Sequence, residues 1–544
     1  MRYVLDSNAS SSIMPATSAG LGTGYVSNSP ASRVLDQAND GLCQLKNRYP
    51  GAMSDTESYV YRYSWDREDL LSYEFKEHYV KQPEVLAYLQ HVVERHDLRK
   101  YMQFNTELLA AHWIDEEHKW RIKVTGDREI TTKYIVLSLG LLSKTNYPDI
   151  PGVDTFERDM YHTAKWPQDY SVDGKDVGVI GCGSTGIQVI TEIGRKVKSL
   201  TCFQRHPQYS VPSGDQKVTP EYREYINNNW DKIWNQVMHS VTGFGFAESQ
   251  VSYHDVSPEE RERIFEENWQ KGNGFRFMFG TFNDIVSDYE ANEGACDFIR
   301  RKIDSIVKDP EKAKKLKPYD LYARRPLCDG NASNNQKYFE QFNRPNVDIV
   351  DLKETPIERI EPTGVRTADG KLHELDLLIF ATGFDAVEGN FTRVAVHGRG
   401  GQTLKEVWDE APTSYLGVCV PGFPNMFITN GPKGAFTNQP PALEAQVDFI
   451  TRILDAAEKA HAPVIEAKVE AEREWTRLCE EPAKDSLFWK ASDNWIFGAN
   501  IPGKKRCLRF YFGGLQKYRE ELERCAKDGF AGFKPLVAVN GHAS

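Results

Sequence analysis

Three short apolar runs frame this chain: Tyr134-Ile135-Val136-Leu137-Ser138-Leu139-Gly140, Asp176-Val177-Gly178-Val179-Ile180 and Leu375-Asp376-Leu377-Leu378-Ile379-Phe380-Ala381-Thr382-Gly383-Phe384. Runs this short, with little polar alternation and a glycine at or near the end, predict buried parallel strands that deliver loops to a ligand. The middle run leads into Gly181-Cys182-Gly183-Ser184-Thr185-Gly186, followed by helical spacing from Ile187 to Lys196 and a further strand, Ser199 to Gln204. Strand, glycine-rich turn, helix and strand make one βαβ unit. From about Thr219 to Lys317 the chain is charged and aromatic with helical periodicity, which predicts a helical insertion. A long helical stretch is predicted from about Pro441 to Cys479, then a compact tail to Ser544. Met1 to about Asp40 is rich in Ser, Ala and Asn with no apolar periodicity, and residues 1–46 are expected to be disordered.

With 544 residues, 40% hydrophobic and 27% charged, the chain has material for two to four domains. A net charge of −11, with its basic residues scattered, argues against a nucleic-acid surface and for a small-molecule substrate. Nine cysteines occur singly, with no Cys-x-x-Cys pair and no histidine cluster, so neither a disulfide framework nor a metal is implied. No run reaches the roughly 18 apolar residues that span a membrane. The expectation is a cytoplasmic protein; the sequence is silent on oligomeric state.

The glycine pattern gains meaning from its setting between strand and helix. Gly181 allows the tight turn, Gly183 lets the backbone approach a pyrophosphate and Gly186 lets helix pack on strand, while the first helical amides face the phosphates. Ser184, Thr185 and Gln188 can add side-chain hydrogen bonds. The end of the second strand carries Arg205-His206 where an NAD site would place a carboxylate. A guanidinium pairs with a 2′-phosphate, so NADPH is favoured over NADH, with Arg324 as a second positive charge.

Just ahead of the loop stand Phe156, His162, Trp166 and Pro167, with Arg158 where a glycine is usual. This spacing resembles the fingerprint of the Baeyer-Villiger monooxygenases, class B flavoprotein monooxygenases. Further stretches match in the same order: Asn47-Arg48-Tyr49-Pro50-Gly51, Phe203-Gln204-Arg205, Ala323-Arg324-Arg325-Pro326-Leu327 and Trp495 through Lys504. The resemblance implies an FAD- and NADPH-dependent enzyme that turns a ketone into an ester or lactone with O2 through a C4a-peroxyflavin. It makes Arg325 the active-site arginine and Asp55 the carboxylate that holds it. It places Arg324 on the NADP 2′-phosphate, Trp495 against NADP, and Met53, Asp55, Tyr61, Leu108 and Gln439 near the flavin. His162 and Trp166 would sit at a domain linker. The loop Cys328 to Gln336 points to large-ring or bulky ketones.

The expected fold class is α/β, with two Rossmann-like domains. Residues 47–150 and 384–544 would form a discontinuous FAD domain, and 151–383 an NADP domain carrying the helical insertion at about 219–317. The family's N-terminal FAD unit, a strand followed by Gly-x-Gly-x-x-Gly, has no counterpart here, and Gly20-Leu21-Gly22-Thr23-Gly24 lacks the strand and helix that would make it a phosphate loop. The FAD domain is therefore expected to be N-terminally incomplete, with an unpaired sheet edge. Two alternatives stand beside the leading reading. One is an N-hydroxylating or flavin-containing monooxygenase; the other is an inactive NADP-binding relative that has lost FAD.

Overall fold

The computed structural model describes residues 47–323, 337–491 and 495–538 in full, and the backbone of 23–28, 31–36 and 327–328. Two five-stranded sheets organise the chain. One is wholly parallel, in the order Asp159–His162, Leu377–Phe380, Asp176–Ile180, Ser199–Gln204, Val347–Asp351. Its central strands are buried along most of their length, which is why their sequences read as unbroken apolar runs. The helix Ser184–Ile193 crosses over between two of them.

The other sheet runs Met426–Ile428, Ile135–Ser138, Thr23–Asn28, Ala31–Asp36, Met102–Gln103. Two of its strands come from the segment expected to be disordered. Thr23–Asn28 pairs antiparallel with both Ile135–Ser138 and Ala31–Asp36. The edge beside Ile135–Ser138 is therefore covered by a hairpin rather than left open. Patterning missed it because the segment's short stretches of apolar residues are interrupted by Ser, Asn and Arg. A smaller sheet built on Leu108–Ile114 and Lys119–Val124 packs its own core around Trp113 and Trp120.

The insertion is helical as expected, and its helices begin where the sequence supplies a cap. Thr219-Pro220, Ser257-Pro258 and Asp309-Pro310 each place a side-chain oxygen on the first turn's amides and a proline at the first helical position. The long helix expected over 441–479 is instead two, Gln439–Lys459 and Val469–Lys484. His461 takes a left-handed φ of 50° and Pro463 follows, so the first helix cannot continue. No helix among the described residues is long and apolar enough to cross a membrane.

Candidate active site

The loop Gly181–Gly183 leaves the strand Asp176–Ile180 and opens the helix Ser184–Ile193. That helix has Gly183 as its N-cap, no side-chain cap and no acidic residue in its first turn, so its leading amides and the positive end of its dipole face outward. A Cβ on Gly183 would meet nothing within 4 Å, which leaves the backbone open to close approach. At Gly186 a Cβ would overlap the Gly181 carbonyl, so only glycine lets helix meet loop. The Cys182 thiol donates to the His206 carbonyl at 3.0 Å, tying the loop to the next strand's end, where Arg205 is exposed. Open helix-start amides fit the pyrophosphate of a nicotinamide dinucleotide, and the exposed arginine beside them fits a 2′-phosphate. Thr185 sits half-buried in the first turn. Gln188 points elsewhere: its amide accepts from Tyr49 Oη at 2.8 Å and donates to the Met53 carbonyl at 3.1 Å.

That contact joins the helix to the strand Met53–Glu57. Asp55 on this strand is 6% exposed, and its carbonyl accepts from the Asn273 amide at 2.8 Å. Asn273 holds a φ of 74° while its side-chain oxygen caps the helix Gly274–Gly280. One residue of the insertion thus fixes both a helix start and the Asp55 backbone. Arg276 of the same helix donates to Glu57 at 2.8 Å, and Tyr222 donates to the other Glu57 oxygen at 2.6 Å. Phe244, Phe246 and Phe275 make an apolar wall here, with Phe244 and Phe275 stacked at 4.2 Å.

A second uncapped helix start meets the same strand. Thr56 Oγ1 donates to Asn438 Oδ1 at 2.9 Å, and Gln439 begins the helix Gln439–Lys459, again with no side-chain cap and no acidic first turn. The Gln439 side-chain oxygen is buried without a hydrogen-bond partner. Tyr61 ends the short helix Ser58–Tyr61 nearby in sequence, and Leu108 lies in the core of the small sheet. For a flavin dinucleotide the described residues divide. The orphaned Gln439 oxygen fits a polar ring edge, although Pro440 and Pro441 remove two of the amides this helix start would otherwise offer. The hairpin strands are antiparallel and two positions apart, so no crossover helix joins them to present amides to a pyrophosphate.

His162 ends the strand Asp159–His162 and is wholly buried. Its Nδ1 accepts from the Ala164 amide and its Nε2 bonds the Gly383 carbonyl, each at 3.1 Å, which fixes one neutral tautomer. Burial pushes its pKa down to about 4, against a smaller upward pull from the Gly383 carbonyl. Trp166 is buried edge-on to Tyr170, and Phe156 packs on the outer apolar cluster of the parallel sheet. Of the fingerprint residues, His162 therefore braces the chain at Gly383, where it leaves the strand Leu377–Phe380. Trp495 opens a short helical turn and meets Phe510 edge-on. Arg324 and Arg325 lie outside the described residues, as does most of the loop 328–336. Sequence reasoning did not single out Asn273, although Gly272-Asn273-Gly274 inside a helical region is a turn signal. Among the described residues no group of three or more His, Cys, Asp or Glu could hold a metal ion.

Residues 64–272 match the family model described as pyridine nucleotide-disulphide oxidoreductase. The chain is 48% identical over 502 residues to phenazine N-monooxygenase PhzNO1 of Lysobacter antibioticus, covering 92% of each protein. It is 47% identical to a Baeyer-Villiger monooxygenase of Pseudooceanicola batsensis, covering 92% of this chain and 90% of that protein. The crystal structure of cyclohexanone monooxygenase from Rhodococcus sp. Phi1 bound to NADP+ superposes with a TM-score of 0.89 at 50% identity, covering 92% of this chain and 93% of the other. With a parallel dinucleotide-binding sheet, an open glycine-rich loop and a fingerprint histidine bonded at Gly383, the chain belongs to the Baeyer-Villiger monooxygenase family of flavoprotein monooxygenases.

Proposed function

We propose that this protein is an FAD- and NADPH-dependent monooxygenase that inserts one oxygen atom beside a ketone carbonyl, giving an ester or lactone, in the cytoplasm. The observation that carries the reading is the strand Met53–Glu57 taking a contact from each of two helices that follow different sheets: Gln188 touches Met53, and Asn438, the residue before the second helix, touches Thr56. When bound, NADPH supplies hydride and the flavin activates O2.

The chain's own residues do the rest. Amides at the start of Ser184–Ile193 and the exposed Arg205 hold the phosphates of NADPH. Asp55, pinned through its carbonyl by Asn273, is the carboxylate that orients Arg325. Arg325 keeps its charge at any working pH and stabilises negative charge developing on oxygen. Phe244, Phe246 and Phe275 form an apolar wall against which a bulky ketone packs and water is excluded. Arg325→Ala is expected to leave NADPH binding and flavin reduction largely intact while ester formation falls at least 100-fold, about 2.7 kcal/mol in the barrier. Ester formation at the parent rate would reject Arg325 as the stabilising group.

The 48% identity to a phenazine N-monooxygenase favours a second reading, oxygen transfer to a heterocyclic nitrogen. Purified enzyme given NADPH, FAD and either a cyclic ketone or an aromatic N-heterocycle separates the two by mass spectrometry of the products. An N-oxide without any ester would replace the leading reading with the second.

A further inference from the structure

The strand Met53–Glu57 ends on a carboxylate whose side chain is only 13% exposed. A carboxylate so placed needs donors, and Glu57 finds them on two separate helices of the insertion. Arg276 of the helix Gly274–Gly280 donates to one oxygen at 2.8 Å, and Tyr222 of the helix Pro220–Asn228 donates to the other at 2.6 Å. Tyr222 is itself stacked on His78 at 4.0 Å. The same residue thus gathers both helices onto the strand that carries Asp55.

Arg276 also reaches the apolar wall. Its guanidinium lies over the Phe246 ring, 5.6 Å from the ring centre. Phe246 forms one cluster with Phe244 and Phe275, and Phe275 is the neighbour of Arg276 in the chain. The segment bearing Phe244 and Phe246 is narrow at Gly245, which has φ 85° and on which a Cβ would collide with Tyr59 Oη. Tyr59 follows Glu57 by two positions, in the helix Ser58–Tyr61. Ahead of the two rings the Asn438 amide holds the Gly243 carbonyl at 2.8 Å, and beyond them the Ser249 amide holds the Phe279 carbonyl at 2.9 Å. Between those two ties, Phe246 is backed by Arg276, and Arg276 is fixed by Glu57.

We propose that Glu57 is a positioning residue that selects for bulky ketones: by holding Arg276 over Phe246, it keeps the wall of Phe244, Phe246 and Phe275 in register with the strand that carries Asp55. The proposal rests on the reading that a bulky ketone packs against this wall. Glu57 touches no reacting atom; it acts through Arg276 and Phe246. A wall already in place meets a large ring without having to be ordered at that moment, so little of the contact energy is lost to ordering. A small ring that does not reach the wall gains nothing from it. Breaking the ion pair therefore removes binding that ground state and transition state share, which raises KM and leaves kcat in place.

Cyclododecanone and cyclopentanone, given to the purified full chain with FAD and NADPH, separate the two cases. Glu57→Gln is expected to raise KM for cyclododecanone about tenfold with kcat within about twofold. KM for cyclopentanone and the rate of flavin reduction by NADPH are expected to stay within about twofold of the parent. In a Phe246→Leu background the same substitution is expected to add less than about twofold, because the ring it acts through is gone; a general loosening of the fold would keep its full cost there. Hydrogen exchange reads the anchoring directly: the amides of Phe277 to Gly280, in the helix that bears Arg276, are expected to exchange about fivefold faster in Glu57→Gln, with the helix Val469–Lys484 unchanged. If Glu57→Gln does not fold, Tyr222→Phe, which removes the other hydrogen bond to Glu57, carries the test with a rise in KM of about threefold. An unchanged KM for cyclododecanone overturns the selectivity, as does a rise that persists in the Phe246→Leu background. Unchanged exchange at 277–280 overturns the anchoring. A parent chain that oxidises no ketone refutes the functional reading and the selectivity with it, while faster exchange in Glu57→Gln still establishes the anchoring.

Discussion

His162 is the residue at which fingerprint and chemistry separate. It occupies a family position ahead of the nucleotide loop, yet both its ring nitrogens are bonded to backbone and its charge is suppressed, so it works as a neutral brace. Its folded pKa of about 4 lies below the ordinary 6.5. Between those values the unfolded chain binds a proton that the folded chain refuses, so stability rises with pH through that window and is lost as pH falls towards 4. The full effect is on the order of 3 kcal/mol. Urea midpoints at pH 7 and pH 4.5 for the parent and His162→Gln check this: the parent is expected to lose more stability than the variant. Equal losses would show that another group sets the acid limit.

At the scale of elements, the helix Ser184–Ile193 has been left incomplete where a capping residue would ordinarily stand. Thr185→Glu is expected to stabilise the ligand-free fold by about 0.3–1 kcal/mol through the helix dipole. The same carboxylate repels a phosphate, so NADP+ affinity is expected to fall about tenfold, some 1.4 kcal/mol. Thermal unfolding and NADP+ titration of one variant should therefore move in opposite directions; affinity at the parent value would remove this helix from the phosphate site. This unit was legible in the sequence because everything it needs lies within Asp176 to Arg205, a span that local periodicity can read. The ion pair of Glu57 with Arg276 was not, since its partners stand 219 positions apart. Nor was the hairpin at 23–36, whose order comes from pairing with Ile135–Ser138. The break at His461-Ala462-Pro463 was readable from its proline, but the helical spacing on both sides masked it.

For the whole molecule, the order in which the strands are made matters. The parallel sheet has all five of its strands between Asp159 and Phe380. The other sheet begins before it and ends after it: Ser138 accepts from Thr429 across 291 positions. At about 5–20 residues per second on a ribosome, Ile135–Ser138 waits roughly 15–60 s for Met426–Ile428. Pulsed hydrogen exchange during refolding of the full chain is expected to protect the amides of Val177 to Ile180 before those of Val136 and Leu137. Simultaneous protection would mean that the sheets form as one unit. If the order holds, an apolar strand stands half-assembled while the parallel sheet is built. During that interval the waiting strand edge is open to aggregation and to chaperones.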